Sequence, residues 1–313
     1  MFTIHEVRTG RGIIQYRWES LTGIRCRISP VRLERKINAP PAMPYSSREG
    51  CPFCPDAIDS ATPTFEDGSR LRCGESVTFP NLYPYAEDHV VTVITSDHVV
   101  DRFDRQALID TLSGTAEALA RSPGYASINW NYLPSAGASI VHPHLQGMAD
   151  RYPSRLADLY ISGGRRYLAE SGRLYWDDLM EQERRSDRFL FEDEIFWSAS
   201  PVPLGEREVR GILPVSTLAE LEPYIEPLVD GLLRVIAFYR HHGTHAFNAS
   251  IFFDAPGTAE RGHRVFCSII SRLNPNTFSM CDSAFMERLH QEPVVLTLPE
   301  DLGRRFRDGT NTP

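Results

Sequence analysis

The feature that most constrains the fold is a pattern of elements that occurs twice along the chain. The first copy spans residues 78–146 and the second spans residues 195–270. Each reads as a strand, a turn with proline, a strand, a long helix, a strand, a glycine-containing loop and a strand. The copies share this pattern rather than residue identity. The repetition predicts a duplicated module, with residues 1–185 forming an N-terminal module and 186–313 a C-terminal one.

Hydrophobic spacing supports each predicted element. Apolar residues recur at helical spacing over residues 104–121 and 217–240, although Pro223 and Pro227 lie near the start of the second run. Strand-like runs rich in β-branched and aromatic residues are at 89–95, 126–133, 188–200, 207–215, 247–255 and 264–270. The predicted class is therefore α+β, with a mainly antiparallel sheet and a packed helix in each module.

Composition excludes several classes of function. A formal charge of −8 argues against a nucleic-acid binder that uses a broad basic surface. The N-terminus lacks the apolar core of a signal peptide, and no run of about 18 apolar residues is present to cross a membrane. We therefore expect a cytoplasmic protein without nucleic-acid or membrane partners. In that compartment, a close pair among the six cysteines is expected to bind a metal or to act in catalysis.

Such a pair occurs in the segment "CPFCP", which contains Cys51 and Cys54. Two thiolates at this spacing can bind one tetrahedral Zn²⁺ from a tight turn, and the flanking prolines stiffen that turn. The alternative is two buried or reactive cysteines. A thioredoxin-like redox pair is disfavoured, because no strand-then-helix context surrounds the motif.

The second unusual segment is "VHPHLQ", in which His142 and His144 flank a proline. The two imidazoles could be metal ligands, a nucleophile with its partner, or unrelated core side chains. Two ligands are needed to complete a zinc site with the cysteines, and His142 and His98 are the first candidates. The alternatives are His89, Cys73 and His144, and spacing alone does not separate His98 from His89.

Four segments together resemble one known family. These are "CPFC", "TSDHVV", "NYLPSAGASIVHPHLQ" and the N-terminal "ESLTGIRCRISPVRLERK". They resemble the galactose-1-phosphate uridylyltransferase family, which is the transferase branch of the histidine-triad superfamily. The resemblance implies two tandem histidine-triad-like modules, of which only the first retains the chemical residues. It also implies one structural Zn²⁺ per chain, a nucleophile at His144, and a homodimer as one possible assembly. The implied zinc ligands are Cys51, Cys54, His98 and His142.

The resemblance also implies substrate contacts. The implied phosphate-binding residues are Arg32, Arg35, Asn131, Ser139 and Gln146. Asn81, beside Phe79 and Tyr83, is a candidate for the base pocket, with core packing as the equal alternative for this segment. Glu287 is a candidate for the acceptor pocket. Two departures stand out: Leu145 occupies a position where the galactose-specific members carry glycine, and no second histidine pair is found in "RVFCSII".

Gln146 distinguishes transfer from hydrolysis. Hydrolytic members of the superfamily have a third histidine there, whereas an amide binds phosphoryl oxygens without acting as an acid or base. We therefore expect a ping-pong enzyme that moves a nucleotidyl group, expected to be UMP, between a nucleotide sugar and a sugar 1-phosphate through His144. One alternative is a phosphorylase that uses inorganic phosphate to cleave a nucleotide sugar, such as ADP-glucose, or a dinucleoside polyphosphate. Another is an inactive, zinc-stabilised nucleotide-binding protein.

Overall fold

A computed structural model describes residues 1–34, 47–100, 102–258, 262–274 and 281–309. The strands are β1 (Phe2–Thr9), β2 (Gly12–Glu19), β3 (Arg25–Ile28), β4 (Leu71–Cys73), β5 (Ser76–Pro80), β6 (Asp88–Val93), β7 (Tyr125–Tyr132), β8 (His144–Asp150), β9 (Phe189–Glu192), β10 (Phe196–Ala199), β11 (Val209–Ile212), β12 (Phe247–Phe252), β13 (Phe266–Ser271) and β14 (Val294–Val295). The helices are α1 (Ile58–Ala61), α2 (Arg105–Leu119), α3 (Arg155–Ser171), α4 (Tyr175–Arg184), α5 (Ile225–His241), α6 (Phe285–Arg288) and α7 (Pro299–Gly309).

One sheet contains the strands of both predicted modules. Its ten strands lie in the order β4-β5-β6-β8-β7-β12-β13-β11-β10-β9, and neighbouring strands are antiparallel. Read from each outer edge inward, the two halves have the same connectivity, with α2 and α5 in equivalent crossovers. The expected α+β fold of two tandem modules is therefore confirmed.

The equivalence extends to individual residues. In the first module Val93 pairs with His144, and in the second Ile212 pairs with Phe266 at the matching ends of the strands. The next backbone contact also matches. The Ile94 N–H donates to the Pro143 carbonyl at 3.0 Å, and the Leu213 N–H donates to the Val265 carbonyl at 2.9 Å. Phe266 therefore occupies the second module's counterpart of the His144 position.

Helices α2 and α5 cover one face of the sheet with a continuous apolar core. The helix α2 begins after Asp104, whose carboxylate accepts the Ala107 N–H at 2.9 Å and so caps the N-terminus. The helix predicted at 217–240 begins later, at Ile225. Two short 3₁₀ turns precede it, and the second contains Pro223, which cannot donate a backbone hydrogen bond inside a helix. Among the described residues, no helix is long and apolar enough to cross a membrane.

The opposite face differs between the two halves of the sheet. Over the second module it is covered by α3 and α4, whose Tyr160 and Trp176 pack on Phe266 and Phe252. Beside it lies a four-stranded sheet in the order β1-β2-β3-β14, where β14 pairs with β3 in parallel. Over the first module the same face carries polar side chains, and the candidate site lies there. The domain division at residue 185 stays a prediction.

Candidate metal and nucleophile site

Two cysteines and two histidines converge beside the start of β8. The ligand atoms of Cys51, Cys54, His98 and His142 all lie within 4.8 Å of one another. The His142 Nδ1 atom is 3.7 Å from each sulfur, and the His98 Nδ1 atom is 3.5 Å from the Cys54 sulfur. Cys73 and His89, the alternative ligands considered from the sequence, are not part of this cluster.

The geometry and chemistry of this cluster fit a tetrahedral metal ion. An ion about 2.3 Å from sulfur and about 2.1 Å from nitrogen leaves about 3.6 Å between the two ligand atoms. The His142 Nε2–H donates to the Thr95 carbonyl at 2.8 Å, which leaves the lone pair on Nδ1, the atom that faces the cysteines. Burial lowers the pKa of His142, so the ring is neutral and able to bind a metal. The cluster could therefore hold a metal ion.

His144 faces a different partner from His142, although only one residue separates them. Its Nδ1–H donates to the His142 carbonyl at 2.8 Å, so the lone pair is on Nε2. The side chain is buried, and burial lowers its pKa below the usual range. The imidazole is thus held in the neutral form, with the tautomer and orientation fixed by the backbone. These are the properties that a nitrogen nucleophile requires.

Phe53 links the cysteine pair to this histidine. The residue lies between Cys51 and Cys54, and its ring meets the His144 ring edge-on at a centroid distance of 5.2 Å. The same phenyl ring packs on Phe79 in β5 at 5.7 Å. The turn that carries both cysteines therefore also supports the imidazole of His144.

Gln146 lies two residues further along β8, on the same face as His144. Its side-chain oxygen Oε1 accepts the Tyr85 hydroxyl at 2.8 Å and lies 2.9 Å from His89 Nε2. The Asn81 amide nitrogen is 3.1 Å from that same His89 nitrogen. The structure thus brings Asn81 and Gln146 to the same histidine, with His89 between them.

The side-chain amide of Asn131, near the end of β7, is also oriented by hydrogen bonds, but its partner lies in the second module. Its Oδ1 accepts the Asn248 side-chain N–H at 2.7 Å, and Asn248 also donates to the Ala136 carbonyl at 2.7 Å. Arg272 donates to the Asn248 Oδ1 at 2.5 Å, which fixes that amide in turn. With its oxygen occupied, the Asn131 NH₂ group points toward Gly137, where a Cβ atom would lie 3.9 Å away. Gly137 has a φ of +90°, which favours glycine in this loop.

The remaining predicted site residues are more widely spread over the structure. Ser139 is exposed in the loop that follows Gly137, and Arg32 is exposed in the 3₁₀ turn after β3. Arg35 lies outside the described residues. Glu287 accepts the backbone N–H groups of Ala284 and Val294, so in this structure its carboxylate caps its own segment.

Several site residues escaped the sequence prediction. Period-two alternation in "FNASIF" places Asn248 and Ser250 on one strand face, which could have indicated their contacts with β7. The role of Phe53 had no sequence signal, because apolar residues between cysteine ligands are common. His89 was considered only as a metal ligand, and its position beside Gln146 depends on the register between β6 and β8.

Comparisons with known proteins agree with this architecture. No protein-family model matches the sequence. An uncharacterized protein of Archaeoglobus fulgidus is 28% identical over 276 residues, which cover 84% of this chain and 82% of the relative. An ADP-glucose phosphorylase from Arabidopsis thaliana, solved with bound ADP-glucose, superposes with a TM-score of 0.74 at 17% identity, over 94% of this chain and 99% of that chain. A uridylyltransferase structure gives a TM-score of 0.70 at 18% identity, over 95% and 99% of the two chains.

The chain has the uridylyltransferase fold. The resemblance inferred from four short motifs is thereby confirmed at the level of the fold, over nearly the whole of the chain. At these identities the comparison concerns architecture. The chemistry is argued from the side chains described above.

Proposed function

We propose that the protein is a nucleotidyltransferase that moves a nucleoside monophosphate from a nucleotide sugar to a phosphate-bearing acceptor through His144. The observation that carries the proposal is the hydrogen bond from the His144 Nδ1–H to the His142 carbonyl. It holds the ring as a neutral imidazole with its nucleophilic nitrogen, Nε2, on the face that also bears Gln146. A merely structural histidine would not need to lie two residues from a candidate metal ligand on one side and two residues from a candidate phosphate-binding amide on the other.

In the first half-reaction the Nε2 lone pair attacks the α-phosphorus of the nucleotide sugar. The N–P bond forms while the bond from that phosphorus to the bridging oxygen breaks, and the sugar 1-phosphate leaves with that oxygen. The Nδ1 proton stays on the ring, where the His142 carbonyl stabilises the positive charge that develops. No proton has to be removed for this step, which agrees with the absence of an acid or base at Gln146.

In the second half-reaction an acceptor phosphate oxygen attacks the same phosphorus. The N–P bond breaks and its electron pair returns to Nε2, so His144 is regenerated as a neutral imidazole. The NH₂ groups of Gln146 and Asn131 are suited to stabilise charge on the phosphoryl oxygens in both steps, because donors already occupy their carbonyl oxygens. The leading acceptor is a sugar 1-phosphate, and UMP is the leading group transferred.

The metal site would support this chemistry by fixing the position of the nucleophile. We propose that Cys51, Cys54, His98 and His142 bind one structural zinc ion, which would fix the backbone that carries the nucleophile. Four protein ligands leave no open coordination position for substrate. A small displacement of His144 would reduce the rate strongly, because reactivity depends on in-line geometry.

Inorganic phosphate is the second candidate acceptor. The observation that favours it is the superposition with an ADP-glucose phosphorylase, which is as good as the superposition with a uridylyltransferase. With phosphate as acceptor the same two steps would release a nucleoside diphosphate. The histidine chemistry is identical, so the two functions differ only in what the acceptor pocket admits.

The test is to incubate the protein separately with UDP-glucose, ADP-glucose and GDP-mannose, each labelled with ³²P at the α-phosphate. We expect label on the protein that is labile in acid and stable in alkali, and the labelling nucleotide identifies the base. Adding glucose 1-phosphate, galactose 1-phosphate or inorganic phosphate to the labelled protein then identifies the acceptor. Release as a nucleotide sugar indicates the transferase, and release as a nucleoside diphosphate indicates the phosphorylase.

The control variants are His144→Gln and His263→Gln. The first removes the proposed nucleophile and should abolish labelling. The second removes another buried histidine, on the second module's side of the sheet, and should label like the wild type. Equal labelling of His144→Gln, or no labelling of the wild type by any of the three nucleotide sugars, would refute the nucleophile assignment.

A further inference from the structure

The side-chain oxygen of Gln146 is occupied from two directions. The Tyr85 hydroxyl donates to it from the turn before β6, and His89 Nε2 lies 2.9 Å away on β6 itself. Tyr85 is largely exposed, whereas His89 is buried, so the histidine is the better-ordered partner. An amide whose oxygen has two donors keeps its NH₂ group for other partners.

The surroundings of His89 determine which of its nitrogens carries the proton. The Tyr85 backbone N–H points at Nδ1 from 3.4 Å, so this nitrogen must be the acceptor. Burial lowers the pKa of the ring, which is therefore neutral and has its single proton on Nε2. This is the tautomer that donates to the Gln146 oxygen. Asn81 Nδ2 lies 3.1 Å from Nε2 but can only donate, so in this tautomer it makes no hydrogen bond to the ring. The shorter contact, 2.9 Å to the Gln146 oxygen, is the one that the Nε2 proton makes.

The orientation of Gln146 matters because a phosphate is an anion. A carbonyl oxygen turned toward it would be repelled, whereas an NH₂ group stabilises the charge that develops on the phosphoryl oxygens. On an isolated glutamine the two orientations differ only by rotation of the terminal torsion, which is broad and nearly two-fold. A neighbouring donor is therefore needed to select one of them.

We propose that His89 is a positioning residue, which donates its Nε2–H to Gln146 Oε1 and so holds the Gln146 NH₂ group toward the α-phosphate. The inference rests on the proposed function and deepens it, since it assigns a role to a residue that contacts neither the metal cluster nor His144. The role is distinct from catalysis, because His89 acts only through the glutamine.

The test measures the rate constant for formation of the nucleotidyl-protein in a single turnover, with the nucleotide sugar that labels the wild type. We expect His89→Phe to lower this rate constant about 10-fold and Gln146→Ala to lower it about 100-fold. His89→Gln should restore most of the loss, since its side-chain nitrogen can occupy the position of Nε2. In the Gln146→Ala background, His89→Phe should have no further effect.

Each variant is checked for zinc content and melting temperature, with His263→Phe as the control for loss of a buried imidazole. If His89→Phe fails to fold, nuclear magnetic resonance of the ¹⁵N-labelled wild type tests the tautomer directly, and a proton on Nδ1 would overturn the proposal. So would a single-turnover rate unchanged in His89→Phe, or losses that multiply in the double variant. Absence of labelling in the wild type would refute the proposed function instead, so the two failures are distinguishable.

Discussion

His144 and Phe266 occupy equivalent positions in the two halves of the sheet. Each is the first residue of its strand, and each pairs with the last residue of the strand before the module's long helix, which is β6 for His144 and β11 for Phe266. The residues before them also correspond, because Pro143 and Val265 each accept a backbone hydrogen bond from the residue that follows the neighbouring strand. One backbone arrangement therefore presents an imidazole in the first module and a phenyl ring in the second.

The difference lies in what covers each half of the sheet. Phe266 is buried beneath Trp176 of α4 and Tyr160 of α3, so the second module uses this face for packing. On the first module the same face carries a smaller apolar cluster around Phe53, and beside it polar side chains that include Gln146, Asn129 and Asn131. One duplicated architecture thus has an aromatic core over one module and, over the other, the site at which we propose the chemistry takes place.

The helix-facing side of the sheet shows a second contrast. In the first module Thr78 pairs with Thr92 beneath α2, and the hydroxyl of Thr115 donates to that of Thr92 at 2.7 Å. In the second module Trp197 pairs with Gly211 at the matching position, beneath α5. Gly231 of α5 lies so close to the indole that a Cβ atom there would be 2.3 Å from it. At this matched position, small hydrogen-bonded hydroxyl side chains lie beneath α2, and a single large ring lies beneath α5.

The largest effect is expected from substitutions that disrupt the metal cluster. Replacing both Cys51 and Cys54 by serine should abolish zinc binding and lower the free energy of unfolding by on the order of 5 kcal/mol, because metal binding is coupled to folding. Metal analysis and urea denaturation measure the two effects. The matched control is Cys267→Ala, which removes a buried thiol of the second module and should leave about one zinc per chain. Full zinc retention in the Cys51/Cys54 double variant would contradict the assignment.

The next effect tests the two helix interfaces. Gly231→Ala should lower the free energy of unfolding by about 3 kcal/mol, because the new methyl group would overlap the buried Trp197 ring. Gly114→Ala in α2 should change it by less than about 1 kcal/mol. Its Cβ would be 3.1 Å from the Thr78 hydroxyl oxygen, and alanine has the higher helix propensity. Thermal denaturation of both variants measures the two losses of stability, and equal losses would show that Trp197 can move.

Much of this architecture could be predicted from the sequence, and the reason is visible in its elements. Period-two and helical spacing identified the duplicated strand–helix order, and the metal cluster contains the four residues that the motif resemblance implied. The prediction failed for contacts that cross between elements. The interactions of Gln146 with His89, and of Asn131 with Asn248, depend on strand register and on which strands are neighbours, which no local pattern specifies. Likewise, no local sequence pattern indicated that α3 and α4 would cover the strands that follow them.

His263 gives the second module a pH-dependent contribution to stability. It is buried against Trp176 and Phe266 near the ion pair of Arg165 and Asp254, and burial lowers its pKa to about 4. The unfolded chain titrates near the ordinary value of about 6.5, so it binds more protons than the folded chain as the pH falls below that value. Stability should therefore fall by about 2 kcal/mol between about pH 7 and pH 5 through this residue. Urea denaturation at both pH values should show a smaller change in the free energy of unfolding for His263→Gln than for the wild type. An identical change would exclude His263 as the source of this pH dependence.

The smallest expected effect tests whether the second module contributes to the reactive face of the first. Asn248 donates to both the Asn131 oxygen and the Ala136 carbonyl, so Asn248→Ala would release the Asn131 amide and the loop together. We expect the rate of nucleotidyl-protein formation to fall about 10-fold with little change in melting temperature, because the side chain is only partly buried. The control is Ser250→Ala on the same strand face. Its hydroxyl donates to Asn129, whose amide already bonds Ser127, so this variant should remain within about two-fold of the wild type. If Asn248→Ala also reacts at the wild-type rate, the first module sets the orientation of its own phosphate-binding amide, and the second supplies packing alone.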